Sequence, residues 1–295
     1  MLVPLDLSPG SDRVLGRLGL LPLADDAHIT LLHVVPGDLP FRDQRSAVRD
    51  ARKALADYAR DLTPSLPKKA RIESVARVGA VPKEVAVSAR AVEAELVVMG
   101  RSGGRALRDV FLGSTAERVI RRSQLPVLVV RLRARMAYSR PALALDIAEA
   151  AHGVVGLLVR MIPPPRPRVQ VIYAHSAPYQ GLIYPSLTRD DDDDRRHDLE
   201  AGYSQKLAQL LATSLTRAKV LPRDAPRWKL HLRFGSPRIV ISKAVEKADT
   251  DLLVLGTHGY SGVAHMFLGS VAGDVLRNVT CDVLVVPPRP KTTKR

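Results

Sequence analysis

Five short segments of the first half of this chain, near residues 2–6, 29–35, 71–78, 95–99 and 126–131, read as strands, most of them rich in apolar residues. "ITLLHVV", "ELVVMG" and "PVLVV" are apolar almost throughout and do not alternate with polar residues. Such runs are expected of strands covered by helices on both faces. Between them the period changes. In "SAVRDARKALADYARDL", residues Val48, Ala51, Leu55, Tyr58 and Leu62 fall along one helical face. Strands and helices therefore alternate as β-α-β-α-β-α-β-α-β, which predicts a mostly parallel sheet with right-handed crossovers.

The pattern is then written a second time. "AELVVMGRSGGRALRDVFLGSTAERVIRRSQLPVLVV", residues 94–130, aligns without a gap to "TDLLVLGTHGYSGVAHMFLGSVAGDVLRNVTCDVLVV", residues 250–286. Upstream, "LVPLDLS" at 2–8 answers "ALALDIA" at 142–148, and "TLLHVV" at 30–35 answers "IYAHSA" at 172–177. A repeat on this scale is a duplicated domain. The expected fold is two tandem open three-layer α/β/α sandwiches, each with a five-stranded, mostly parallel sheet. Their expected bounds are 1–134 and 140–290, joined through "LRARMAYSR" at 132–140. "PPPRP" at 163–167 cannot sustain a helix and is expected to part the second half's first helix from its second strand. An acidic insertion around 183–198 contains Asp190–Asp194 and is expected to be a solvated loop; it lacks the glycine and distal glutamate of a calcium loop.

Composition narrows the function only a little. A length of 295 residues suits two domains, and an apolar fraction of 46% fills two cores. No run of about 18 apolar residues occurs, so no membrane span is expected. The amino terminus lacks a basic segment followed by a long apolar run, so no signal peptide is expected. The single cysteine, Cys281, excludes an intrachain disulfide, fits a reducing cytoplasm and is expected to be a small core residue. A formal charge of +15 favours polyanions, but the basic residues are scattered with no aromatic interleaving, so solvated helix faces are the plainer reading.

The chemistry concentrates in "MGRSGGRALRDVFLGST", residues 99–115. Gly100 lets the chain turn directly after a strand, and Gly103 removes a side chain where backbone must approach a ligand. Gly113 and Ser114 open the next helix. Ser114 is a good N-cap, and the free amides of that first turn can hold phosphate oxygens. Arg101, Arg105 and Arg108 add positive charge. In an open parallel sheet, ligands lie beyond the carboxyl ends of strands where strand order reverses, and this loop leaves such an end. Neither the Walker A pattern nor G-x-G-x-x-G occurs. A literal G-x-S-x-G spans Gly100–Gly104, but the second copy reads "GTHGY", with His258 where Ser102 stands. No acid–base partner supports a hydrolase elbow.

These residues resemble the universal stress protein family in its tandem two-domain form. The resemblance rests on G-x2-G-x9-G-[ST] in both halves, on "LVPLDLSPGS", on "TLLHVV" and on "LPVLVV", and covers nearly the whole chain. It implies a Rossmann-like fold of the adenine nucleotide alpha hydrolase type and ATP binding by motif-bearing members. For the first half it implies Asp6 at the ribose or adenine side, Val34 offering backbone groups to adenine, and Met99 and Gly100 lining the ribose and phosphate region. Gly103, Gly113, Ser114 and Thr115 would bind the phosphates. The residues themselves leave Asp6 a plainer role, capping the next helix. In the second half Asp146, Gly256, Gly259, Gly269, Ser270 and Val271 match, while Leu255 replaces Met99, Ala148 replaces Ser8 and Ser176 stands opposite Val34. His258 and His265 can meet phosphates or be ordinary exposed loop histidines. The family pairs its last strand across a dimer interface. Here "PVLVV" and "DVLVV" can pair within one chain, which can dimerise further.

The leading expectation is a cytoplasmic ATP-binding stress or signalling protein, with Mg²⁺ or Mn²⁺ arriving as part of the nucleotide and no dedicated catalytic residue. The alternatives are a slow ATPase or nucleotidyl transferase of the same fold, and a basic nucleic-acid or protein-interaction module with vestigial nucleotide sites.

Overall fold

The computed structural model describes residues 1–101, 114–175, 189–257 and 268–288, with backbone alone at 114 and 189–198. The first half runs β1 (Leu2–Pro4), α1 (Ser11–Leu18), β2 (His28–Pro36), α2 (Phe41–Leu62), β3 (Arg71–Gly79), α3 (Val81–Ala91), β4 (Val97–Gly100), α4 (Ser114–Ser123) and β5 (Val127–Val130). The second repeats it: β6 (Pro141–Ala144), α5 (Ala151–Met161), β7 (Val169–His175), α6 (Arg189–Arg217), β8 (Trp228–Phe234), α7 (Pro237–Lys247), β9 (Leu252–Gly256), α8 (Ser270–Asn278) and β10 (Asp282–Val286). The α/β architecture read from the sequence is the one observed. As expected of the proline run, α5 stops at Met161 and β7 begins at Val169.

All ten strands join one sheet in the order β3-β2-β1-β4-β5-β10-β9-β6-β7-β8. Every neighbouring pair is parallel except β5 and β10, which run antiparallel. At that seam Leu128 faces Leu284, Val127 faces Val285 and Val129 faces Val283. Leu128 pairs with its own duplicate, and Val127 and Val129 each pair with the duplicate of the other, so a pseudo-two-fold axis passes through the Leu128–Leu284 pair.

The apolar strands are explained by two core layers. Leu284 and Val286 of β10 pack with Leu18, Leu55, Leu158 and Leu211 on the face covered by α1, α2, α5 and α6. Val283 and Val285 pack with Val85, Val119, Val245 and Val275 on the face covered by α3, α4, α7 and α8. Both sides of the strand are dry, so neither tolerates polar residues.

Two aspartates tie the connection between the halves. Asp282 is fully buried. Its Oδ1 accepts from the amides of Arg131 (2.7 Å) and Leu132 (2.8 Å). Its Oδ2 accepts from Arg17 Nε (3.1 Å) and the Tyr138 hydroxyl (2.8 Å), and the Arg17 guanidinium lies 3.9 Å over the Tyr138 ring. Asp251 accepts from the amides of Ser139 and Arg140 and from the Ser139 hydroxyl. A buried carboxylate needs such partners, since an unpaired charge in a dry interior is strongly unfavourable.

Two expectations are corrected. Asp190–Asp194 lies in the first turns of α6, a 29-residue helix, and is not a loop. Aspartates at a helix amino end complement the positive pole of its macrodipole, which reconciles an acidic run with helical backbone. The remainder of the acidic insertion, 183–188, lies outside the described residues. Ser114 is the first residue of α4 instead of its cap, and in the second half Gly269 takes the cap position before Ser270. The cap is a glycine for a steric reason. The Gly269 amide donates to the Thr257 carbonyl (2.9 Å), and a Cβ on Gly269 would lie only 2.9 Å from that oxygen.

Candidate functional site

Strand order reverses between β1 and β4: from β1 the chain proceeds to β2 on one side, and β4 and β5 lie on the other. A crevice beyond the carboxyl ends of the strands is expected at such a point. A cavity of about 520 Å³ opens there. Asp6, Val34, Met99, Gly100 and Thr115 all line it, and Ser114 heads the adjoining helix. Gly103 and Gly113 lie outside the described residues, as do Ser102, Arg105 and Arg108.

Asp6 organises the turn that leaves β1. Its Oδ1 accepts from the Ser8 amide (3.1 Å), the Ser8 hydroxyl (2.7 Å) and the Ser11 hydroxyl (3.1 Å). Leu7, between them, has φ 56°, in the left-handed region that non-glycine residues seldom occupy. Three hydrogen bonds to one carboxylate oxygen hold this strained turn, so the helix-entry role weighed for Asp6 is realised as a turn brace. On the other side of the sheet's end, His33 Nδ1 lies 2.8 Å from the Leu5 carbonyl and ties β2 to the same turn.

Four arginines line this cavity: Arg13, Arg101, Arg131 and Arg277. Only Arg101 was legible as a site residue in the sequence. Arg131 immediately follows β5 and donates from its two terminal nitrogens to the carbonyls of Leu276 and Val279, at the carboxyl end of α8. A cation there complements the negative pole of that helix. Burial is the main influence on Arg131 and lowers its pKa to about 10, so it stays protonated at neutral pH.

The second half has a matching cavity of about 650 Å³ at the ends of β6, β7 and β9. Asp146, Gly256, Gly269, Ser270 and Val271 line it, with Leu255 in the place of Met99. Gly259, Ser176, His258 and His265 fall outside the described residues. The turn after β6 is relaxed: Asp146 Oδ1 accepts from the adjacent Ile147 amide (2.8 Å), and Ile147 is not left-handed. A β-branched residue would be strained in the conformation that Leu7 adopts.

The lining differs in chemistry as well. Lys206 is the single Lys or Arg among the described residues around the second cavity. An aromatic cluster takes the place of the arginines. The rings of Tyr203 and His175 lie 5.2 Å apart, those of Tyr203 and Tyr173 5.1 Å, and Phe234 meets His175 edge-on at 5.9 Å. Tyr173, His175 and Tyr203 reach the cavity wall. The only sequence signal for this cluster was aromatic residues in β7, α6 and β8 on an otherwise aliphatic scaffold.

Cys281 is buried at the α8–β10 junction, and burial pushes its thiol pKa up to about 12, as suits a core residue. No helix among the described residues is long and apolar enough to cross a membrane.

Comparison with known proteins agrees with this geometry. A family model described as "Universal stress protein family" matches residues 1–131 and again 143–287. A universal stress protein of Mycolicibacterium smegmatis is 27% identical over 307 aligned residues, covering 98% of this chain and 97% of the relative. A universal stress protein of Synechocystis is 29% identical over 160 residues, 51% of this chain and 99% of that protein. Among solved structures, a universal stress protein from Archaeoglobus fulgidus superposes with a TM-score of 0.66 at 19% identity, covering 98% of both chains. A chain from Pseudomonas aeruginosa titled as a putative universal stress protein gives 0.61 at 20% identity, covering 97% of this chain and 91% of that one.

Proposed function

We propose a nucleotide-binding regulatory role for this chain, which belongs to the universal stress protein family. The ligand is ATP, and its first site is the cavity at the ends of β1, β2 and β4. The observation that carries this reading is the meeting of Asp6, Val34, Met99, Gly100 and Thr115, from four separate segments, around one cavity rimmed by four arginines. A volume of about 520 Å³ is in the range of small-molecule and cofactor sites, commonly several hundred Å³. Adenine and ribose sit between the turn braced by Asp6 and the end of β2, with phosphates toward the amino end of α4, whose free amides and macrodipole favour anions. Gly103, Gly113 and Ser114 complete the phosphate side in this reading, and Mg²⁺ or Mn²⁺ travels with the phosphates.

Asp146, Gly256, Gly259, Gly269, Ser270 and Val271 form a second site that holds polyphosphate more weakly, for want of arginines. Residues 1–134 and 140–290 act as two domains paired through their last strands. Binding alters conformation or partner choice in the cytoplasm, without a dedicated hydrolytic step. The test is to denature purified protein, identify any released nucleotide by chromatography, and titrate the emptied protein with ATP. Gly113→Val and Gly269→Val are each expected to weaken binding. Protein that carries no nucleotide and takes up none on titration overturns the reading.

A further inference from the structure

The duplication is symmetric, but the first cavity is not built from its own half alone. Arg277, Asn278, Val279 and Thr280, from the end of α8 and the turn after it, form part of its wall. Their duplicates in the first half are Arg121, Arg122, Ser123 and Gln124, and none of these lines the second cavity. The helix that opens at the second site with Ser270 and Val271 therefore ends at the first site with Arg277 and Asn278.

We infer that the first pocket is a composite anion site, in which Arg277 from the second half neutralises Glu117 beside the phosphate-binding end of α4. Glu117 lies in the first turn of α4, two residues beyond Thr115. A carboxylate there occupies the position where the helix favours an anion and repels a phosphate arriving beside it. Arg277 Nη1 lies 2.7 Å from Glu117 Oε1, while Nη2 is held by Asp274 one turn back on α8. The Glu117 side chain is only 16% exposed and Arg277 34%, so their mutual charge is incompletely screened by water. Arg121 also approaches Glu117, but at 3.7 Å and from a more exposed position. Arg277 is thus a positioning residue: it acts on the ligand through Glu117 and the field at the pocket mouth. Its effect is confined to the phosphates, since neither the base nor the ribose carries charge.

This inference rests on the nucleotide reading of the first cavity, and the test separates the two. Full-length wild type, Arg277→Met, Arg277→Lys and Arg277→Met combined with Glu117→Gln are titrated with ATP and with adenosine by calorimetry, taking the tighter transition. Thermal melts verify that each variant is folded. Arg277→Met is expected to weaken ATP about fivefold, the scale of a partly exposed charge pair, and adenosine less than about twofold. Arg277→Lys recovers part of the loss. Adding Glu117→Gln recovers most of it, because the carboxylate that needed neutralising is gone. Equal losses for ATP and adenosine, unchanged ATP affinity in Arg277→Met, or no recovery with Glu117→Gln each overturn the inference while the nucleotide reading stands. A wild-type chain that takes up no ATP overturns the nucleotide reading and this inference with it.

Discussion

The two cavities share one scaffold and differ in what coats it. The first is rimmed by Arg13, Arg101, Arg131 and Arg277; the second has Lys206 and the cluster of Tyr173, His175 and Tyr203. The turns beneath them differ too, a left-handed Leu7 braced by Asp6 against a relaxed Ile147 beside Asp146. Strand order, helix placement and the buried ladder at the seam were retained by duplication because each is held by a shared core. Cavity walls pack against solvent on one side, so their side chains were free to diverge. Arg277 and its neighbours add a further asymmetry, since among the described residues only the first cavity is walled by both halves.

The largest expected effect comes from the junction that brings those halves together. Removing the Asp282 carboxylate leaves the Arg17 charge buried without its counter-ion and two amides unsatisfied, so Asp282→Ala should lower stability by about 3–5 kcal/mol in urea unfolding. A loss under about 1 kcal/mol would show that the seam does not depend on this network.

The unlike turns are compared next. Asp6→Ala releases three hydrogen bonds and the brace on Leu7, and is expected to cost about 1–2 kcal/mol. Asp146→Ala, which loses one local bond, should cost at most about half of that. Equal costs would erase the distinction drawn between the two turns.

Salt then sharpens the contrast in charge. Raising ionic strength from about 0.05 to about 0.5 M shortens the screening length several-fold and should weaken ATP at the arginine-lined cavity by roughly threefold or more. The second cavity should respond less. An identical response at both sites would mean that the four arginines do not govern binding.

The effect that vanishes at neutral pH concerns Cys281, which stands where the first half has Leu125. Its thiol pKa is raised from 9.0 to about 12 by burial. The folded state therefore keeps a proton that the unfolded chain begins to lose near pH 9. The contribution is complete below that pH and disappears as pH rises towards 12. Cys281→Ala should flatten the decline in stability between those values, and the native thiol should label far more slowly than the unfolded one at pH 8. Rapid labelling of native protein would show that the site opens readily.

Much of this was legible in advance for identifiable reasons. Continuous apolar runs such as "PVLVV" mark strands with dry faces on both sides, and the gap-free repeat of "VFLGST" as "MFLGSV" marked the two helix openings. The acidic run was misread because five aspartates suggest solvation, while their position at the start of a long helix lets the helix field stabilise them. Asp282 and Asp251 were missed altogether. Their duplicates are Pro126 and Glu95, so nothing in the repeat distinguished them from ordinary acids next to a strand. Arg277 was equally silent, reading as one more basic residue in a helix's last turn.

By itself the sequence determined the order of strands and helices, the duplication and the residues at each strand's carboxyl end, because local period and composition dictate all of these. That "PVLVV" and "DVLVV" can meet was read through the family resemblance; the tertiary structure alone decided the antiparallel register of that seam. It thereby buried Asp282, turned Arg131 onto the end of α8 and carried Arg277 into the neighbouring half's cavity. Charges separated by more than a hundred residues meet only after folding, and their energies depend on distance and burial that no local pattern records.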